Sequence, residues 1–570
     1  MPAGASSAGP EDFDTVVVGS GFGASVVAFR LAEAGQRVCV LERGKAYPPG
    51  SFPRDPRRMA ANLWDPNAGL HGLFDAWAFT RIESVVSSGL GGGSLIYGNV
   101  LIRKDERWFV DEALPDGGYE RWPIDRALLD PHYDAVEKIL GAAPYPFHTA
   151  PYDKTSKTLA MREAAESLGL DWMLPELAVS FAPGPGEEPA PGQPIRDPFP
   201  NIHGQLRYTC RLCGECDVGC NDGAKNSLDH TYLSGAKAHQ AEIRTLSEVR
   251  ALEPIDGPGG GPSGYRVTYV THRPDGPPTR RRDLPSTTIR ARRVVLGAGT
   301  FGTTYLLLRN RAAFPRMSPA LGTRFSGNGD LLSAIVGASR QQGGKSVPRD
   351  LDPSMGPVIT SAIRIADEAD GTGATGRGFY VEDGGNPVFL DWLAETVGVL
   401  GTTKRAFAFM ARRSLAHVMG RPRTDINEDL SRLIGGVSAV SLPTLVMGRD
   451  IPDGVMRLRN GDLEVDWTPR HSAAYYERAE ETIRAIAGTL GGRLLNSPLW
   501  FFRRAITAHP LGGCPMATDE RHGVVGADGE VFNYPGLFVV DGAAMPGPVG
   551  PNPSLTIAAF ADHVADGILS

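Results

Sequence analysis

The chain has 570 residues, more than one core usually supports, so two or three structural units are expected. With 41% hydrophobic and 22% charged residues it is not a disordered chain, and 58 Lys and Arg against 65 Asp and Glu, net -7, exclude the basic surface of a nucleic-acid binder. No apolar run reaches the roughly 18 residues of a spanning helix, which excludes a transmembrane segment of that kind. The opening MPAGASSAGPEDFD lacks the basic and apolar regions of a secretory signal. It reads as a disordered lead-in over 1–10, and the expected location is cytoplasmic.

The first ordered element is a short β-branched strand at 14–18. Gly19, Gly21 and Ala24 follow in the G-x-G-x-x-A spacing, with Gly23 as an extra glycine. A helical pattern then runs to Gly35, and a second strand, Val38 to Leu41, ends in Glu42. Gly19 permits the sharp turn, Gly21 lets backbone approach a pyrophosphate, and Ala24 lets the helix lie on the strand. Glu42 stands about 20 residues past the glycines, where a carboxylate accepts from ribose hydroxyls. The unit suits NAD or FAD; the absence of a second fingerprint of this type favours FAD.

Three later segments carry glycine-rich or polar signals. Residues 87–99 read SSGLGGGSLIYGN, 294–308 read VVLGAGTFGTTYLLL, and 509–556 run from HPLGGC to DGAAMPGPVGPNPSLT. Together with the first motif they resemble the glucose–methanol–choline (GMC) oxidoreductase family, in its cholesterol oxidase and long-chain alcohol oxidase branch. That resemblance implies an α/β fold: a Rossmann-like FAD-binding domain beside an α+β substrate domain of antiparallel sheet and covering helices. It also implies that the loop of Gly91, Gly92, Gly93, Ser94 and Asn99 touches the flavin and pyrophosphate. Gly297, Gly299, Asp541 and Gly542 would lie along the nucleotide and ribityl chain, with Val249 as a further cofactor contact.

Alcohol oxidation by hydride transfer is easiest when the hydroxyl proton leaves in the same step, and a neutral imidazole is a suitable acceptor. The resemblance assigns that role to His509 of the H-P-L-G-G motif and a partner role, near the cofactor, to Asn552 of GPNPSL. An amide orients an oxygen but cannot take its proton, so His509 would act alone or with a carboxylate. The family branch also includes a carboxylate from the substrate domain. No motif fixes its position; Glu382 in GFYVEDGGNP is the candidate, with Asp383 beside it. Cys514, just after the His509 motif, reads as a packing thiol.

Residues 210–220, CRLCGECDVGC, place Cys210, Cys213, Cys216 and Cys220 at C-x2-C-x2-C-x3-C, the spacing of an iron–sulfur run with Asn221 in place of the usual Pro. An iron–sulfur cluster, a zinc ion, or thiols left free or disulfide-linked all fit this pattern. A cluster would give electrons an exit to an acceptor protein instead of oxygen.

The motifs are dispersed, so the expected FAD domain is assembled from 11–50, 84–110, 221–325 and 505–570, and the substrate domain from 111–220 and 326–504. The stretch 388–423 mixes aromatic and basic residues; it reads as a helix with one buried and one basic face, or as a lid making peripheral membrane contact. The function expected is FAD-dependent oxidation of a bulky hydrophobic or sterol-like alcohol. The alternatives are a non-redox flavoprotein lyase or isomerase, and a biosynthetic flavoenzyme acting on a ketone or alkene.

Overall fold

A computed structural model describes residues 12–54, 58–59, 61–114, 118–257, 261–276, 281–385, 441–501 and 503–570. The lead-in 1–10 and the stretch 388–423 lie outside the described residues.

The chain opens as its pattern predicts. Strand β1 (Asp12–Val18) runs into helix α1 (Phe22–Glu33), and β2 (Val38–Leu41) returns parallel to β1. Further strands of the same sheet are β3 (Glu242–Arg244), β4 (Ser247–Asp256), β5 (Pro262–Thr271), β6 (Ser286–Leu296) and β7 (Leu537–Val539). Their order is β3-β2-β1-β6-β5-β4, with β7 parallel to the end of β6. Pairings among β3, β2, β1 and β6 are parallel, which buries β1 and β2 on both faces and explains their unbroken β-branched runs. β5 pairs antiparallel to its neighbours.

Helix α1 is apolar nearly all round because it is covered on both sides. Ala24 packs so close to the end of β6 that a Cβ on Gly297 would stand 2.6 Å from the Ala24 methyl. On the other side lies the last helix, α2 (Pro553–Leu569), equally buried along one flank. Arg30 of α1 pairs with Asp562 and Asp566 of α2. The helix Arg126–Leu140 also joins this core through Leu129, Tyr133, Val136 and Leu140, with His132 Nδ1 2.7 Å from Asp562 Oδ2. Its position in the chain predicts that this helix belongs to the substrate domain. Its amphipathic face instead covers α2, because its cap at Asp125 and stop at Gly141 aim it back over the nucleotide sheet.

A second sheet has six antiparallel strands: Asp171–Met173, Ala362–Ile365, Phe379–Asp383, Ser441–Gly448, Leu331–Val336 and Arg493–Asn496, in that spatial order. Helices Ser156–Leu168 and Ala473–Thr489 cover it, closing a separate core around Ile363, Val381, Val446 and Ile483. The fold is therefore α/β with an antiparallel second sheet, and the last stretch before α2 passes between the two.

Candidate active site

The cradle is built from backbone. A Cβ on Gly19 would stand 2.3 Å from Gly297 O, and one on Gly23 1.7 Å from Val540 O, so the βα turn is wedged between the ends of β6 and β7. Gly92, at φ +54°, brings the glycine-rich loop onto this turn: its Cβ would lie 2.6 Å from Gly21 Cα. By contrast, a Cβ on Gly93 or Gly299 would meet nothing within 4 Å, and one on Gly21 only Gly297 O at 3.9 Å. These three glycines bound open space at the start of α1. That helix begins at Gly21 with no side-chain cap and no acid in its first turn, so its first N–H groups are free to face an anion.

Polar side chains brace the cradle. Glu42 is buried; its Oε2 accepts from Ser20 Oγ at 2.5 Å and its Oε1 from Gly44 N at 2.7 Å. Burial outweighs these donors and raises its carboxyl above the ordinary range. β4, which carries Val249, starts beside it, where Ser247 N donates to Glu42 O at 2.7 Å. Asp541 is pushed up to about 6 by burial; it accepts from Gly299 N at 2.8 Å, Thr303 Oγ1 at 2.5 Å and Ala543 N at 2.9 Å. Asp541 thus ties β7 to the turn after β6, with Gly542 opening the next turn. Ser94 is bonded within the loop. Its hydroxyl donates to Gly91 O at 2.7 Å and accepts from Leu228 N at 3.0 Å, so it shapes the loop from within. Asn99 sits at φ 70° with its Oδ1 buried and without a partner among the described residues. Replacing Gly92 by Ala should cost about 1–3 kcal/mol of strain at that φ, plus the clash with Gly21. We expect a lowered Tm, read by differential scanning calorimetry.

Beyond the cradle, two C-terminal motifs meet through a loop the sequence did not single out. His509 Nδ1 lies 3.0 Å from Asp330 Oδ1, and Asp330 Oδ2 accepts from Thr507 Oγ1 at 2.9 Å and Ala508 N at 2.8 Å. This fixes the ring through Nδ1 and leaves Nε2 without a partner among the described residues. Two residues before Asp330, Asn328 reaches the other motif: its Nδ2 donates to Gly550 O at 3.2 Å and Pro551 O at 3.3 Å, and its Oδ1 accepts from Gly550 N at 3.0 Å. Asn328 and Gly329, at φ 53° and 66°, turn the chain so that one pentapeptide, Ser326–Asp330, holds both motifs.

Asn552 precedes α2 but does not cap it; Pro553 occupies the first turn. Its Nδ2 donates instead to Glu382 Oε2 at 3.3 Å. Glu382 is fully buried in the strand Phe379–Asp383, and its carboxyl is raised well above the usual range by that burial, with Asp383 and Asp330 adding repulsion against the Asn552 bond. Asn552 Oδ1 and Glu382 Oε1 are both buried with no partner among the described residues. Two orphaned polar atoms on hydrogen-bonded neighbours are what a bound hydroxyl or ring edge would satisfy. Asp383 instead anchors the adjacent strand, accepting from Thr360 N and Ser361 N at 2.8 Å each.

Asp450 underpins the pentapeptide. Its Oδ1 accepts from Ser326 Oγ at 2.5 Å and its Oδ2 from Gly327 N at 3.0 Å. Burial pushes it up to about 7, opposed by these donors. With its folded pKa above the unfolded value near 4, the stability it contributes is complete below pH 4 and is lost as pH rises through 7. Relative to Asp450→Asn, the unfolding free energy of the wild type should therefore fall by about 4 kcal/mol between pH 4 and pH 8, measured by denaturant titration.

The cysteine run packs on the glycine-rich loop. Lys225 Nζ, fully buried, donates to Tyr97 O at 2.9 Å, Cys216 O at 3.1 Å and Leu95 O at 3.2 Å, joining the two. Across the run, Gly214 N donates to Gly356 O at 2.8 Å and Gly356 N to Leu212 O at 3.1 Å. Cys210, Cys213, Cys216 and Cys220 form no disulfide, so the disulfide reading is corrected: the turns at Leu212 and Gly214 direct the chain against the 354–358 segment, not sulfur against sulfur. Among the described residues no three of the four thiols come within 4.8 Å of one another, whereas one zinc ion gathers its sulfurs to about 4 Å. A cubane's sulfurs stand farther apart, so this geometry speaks to zinc alone. Burial raises the Cys210, Cys213 and Cys216 thiols, Cys213 to about 11. Asp217, inside the run, is pushed up to about 6 by burial against the fields of Lys225, Lys157 and His509. The run is thus a wall of the site, a placement no motif signalled. Cys514 is a buried packing thiol beside Thr304 Oγ1 at 3.8 Å.

A parallel-sheet glycine cradle, a second antiparallel sheet, and one loop that binds both the His509 motif and the stretch before Asn552 are the frame of an α/β oxidoreductase. Residues 496–561 match the family model described as GMC oxidoreductase. Over 577 residues the chain is 30% identical to a cholesterol oxidase of Mycobacterium tuberculosis, covering 97% of this chain and 90% of that one. It is 29% identical over 559 residues to a cholesterol oxidase of Acinetobacter baumannii, covering 97% and 93%. Among solved structures, a pyridoxine 4-oxidase from Mesorbium loti shares the fold with a TM-score of 0.57 at 18% identity, covering 97% of this chain and 99% of that one. The chain belongs to the GMC oxidoreductase family and is an alcohol oxidoreductase of that type. No helix among the described residues is long and apolar enough to cross a membrane.

Proposed function

We propose that this enzyme binds FAD and oxidises the hydroxyl of a bulky hydrophobic, sterol-like alcohol to a carbonyl, with His509 as the base. The observation that carries the reading is the Ser326–Asp330 clamp, which brings the His509 and Asn552 motifs together although 42 residues and β7 separate them. The open space beside Gly21, Gly93 and Gly299 and the uncapped start of α1 fit the pyrophosphate of FAD. Glu42 and Val249 at the tips of their strands would face its adenosine half.

When bound, FAD supplies the acceptor for the hydride of the carbinol carbon. His509 takes the hydroxyl proton at Nε2, while Asp330 fixes the tautomer and stabilises the imidazolium that forms. Asn552 and Glu382 hold the oxygen: burial favours the neutral carboxyl of Glu382, the form that can donate where an ionised carboxylate only accepts. The names of the two bacterial relatives support the sterol assignment, and they support oxygen as the electron acceptor. The cysteine run then serves as a structural wall tied through Lys225, within a cytoplasmic enzyme.

The test is product analysis with purified enzyme and a panel of 3β-hydroxysterols, straight-chain alcohols and amino sugars. Ketone formed from the sterols, with one peroxide per turnover, is expected. Turnover confined to the polar alcohols would overturn the substrate class, and acid-labile sulfide with iron in the protein would reassign the electron exit.

A further inference from the structure

We propose that His203, Asp229 and His230 form a zinc site that pins the glycine-rich loop from behind. Each offers one ligand atom, and these atoms lie within 4.8 Å of one another. The three side chains are 4%, 1% and 5% exposed, so bulk water does not solvate them. Asp229 Oδ2 stands 2.7 Å from His203 Nε2 and 3.9 Å from His230 Nε2, while Oδ1 accepts from Ser227 Oγ at 2.5 Å. His230 makes no hydrogen bond from either ring nitrogen among the described residues, and its Nδ1 is wholly buried. Its Nε2, 3.9 Å from Asp229 Oδ2, is the ring atom facing the cluster; a divalent ion between the three side chains would give it a partner, and two imidazoles with one carboxylate are a donor set suited to zinc.

A second grouping, His132, Asp562 and Asp566, is a contrast. There Arg30 already pairs with both carboxylates and His132 Nδ1 stands 2.7 Å from Asp562 Oδ2, so each member of the group already has a partner. At Asp229 the nearby Arg207 is engaged elsewhere, donating to Asp197 Oδ1 at 2.5 Å and Asn226 Oδ1 at 2.6 Å.

The location shows what the ion would hold in place. Leu228 N donates to Ser94 Oγ, and a Cβ on Gly91 would lie 3.4 Å from both Asp229 N and Oδ1. Locking residues 227–230 therefore locks the loop that Gly92 lays on the nucleotide turn, and His203 would clip the 201–209 segment to the same point.

The test uses holoprotein and zinc alone. Zinc content and the zinc X-ray absorption edge are measured for the wild type, for His230→Ala, and for Cys213→Ser/Cys220→Ser, because the cysteine run is a competing zinc ligand. We expect about one zinc per chain, ligated by nitrogen and oxygen only, retained by the cysteine variant and lost from His230→Ala. Chelation of the wild type should lower its Tm and loosen FAD, and zinc should restore both. Zinc bound through sulfur, zinc retained equally by His230→Ala (an adventitious ion only), or no zinc at all overturns the proposal. Should His230→Ala fail to fold, a wild-type Tm indifferent to chelator and to added zinc overturns it as well.

Discussion

Replacing His509 by Ala leaves the flavin bound and lowers the rate of its reduction by alcohol about 10³- to 10⁴-fold, the upper range for losing a positioned base. The expectation follows from where the ring stands. His509 is half-buried and held only through Nδ1, so nothing in the cradle depends on it. Cofactor absorbance and Tm should therefore match the wild type. Neither neighbour is suited to replace the lost base: Asn552 is an amide, and burial shifts the Glu382 carboxyl toward its neutral form. His509→Gln separates positioning from proton transfer, since the amide can still orient the hydroxyl. It should recover substrate affinity but not the rate of reduction. Anaerobic stopped-flow at 450 nm reads both, and a His509→Ala enzyme that bleaches at the wild-type rate would remove His509 from the chemistry.

Asp330→Asn should be nearly as damaging, lowering reduction about 10²- to 10³-fold. Asp330 accepts from four groups: His509 Nδ1, His509 N, Ala508 N and Thr507 Oγ1. An amide replaces one acceptor oxygen by a donor, so it must either turn its NH2 against the Ala508 and His509 N–H groups or present it to Nδ1. The second arrangement demands the tautomer with its hydrogen on Nε2, which cannot take the substrate proton. A merely structural role for Asp330 would show as lost Tm and lost flavin. A positioning role shows as a loss of the bleaching rate with flavin content unchanged, and Asp330→Glu should recover part of it.

Much of the nucleotide unit is legible in the sequence because each of its parts has a local cause: a β-branched run buried on both faces, glycines where Cβ atoms would strike β6 and β7, and an acid at the end of β2. Glu382 could be named only as a candidate, since a lone acid beside a turn has no spacing rule; its pairing with Asn552 spans 170 positions. Asp330 escapes sequence reasoning for a related cause. The sequence SGNGD signals a turn through Asn328 and Gly329, but nothing local says that the carboxylate ending it meets a histidine 179 residues on. The cysteine run shows the reverse failure. Its spacing suggests metal chemistry, while its contacts come from backbone and from Lys225, a lysine with no motif of its own. Helix Arg126–Leu140 lies among substrate-domain segments in the chain, yet its buried stripe belongs to a core formed mostly by residues hundreds of positions away.

The central claim is that His509 and Asn552 frame an alcohol against a flavin held by the glycine cradle. Mixing the oxygen-free, wild-type enzyme with a 3β-hydroxysterol, protiated or deuterated at the carbinol carbon, probes that claim in one turnover. Complete loss of the oxidised flavin spectrum, slowed several-fold by deuterium and matched by one ketone per flavin, is the predicted result. Sterol consumed while the flavin stays oxidised, or a flavin indifferent to every alcohol offered, would contradict it.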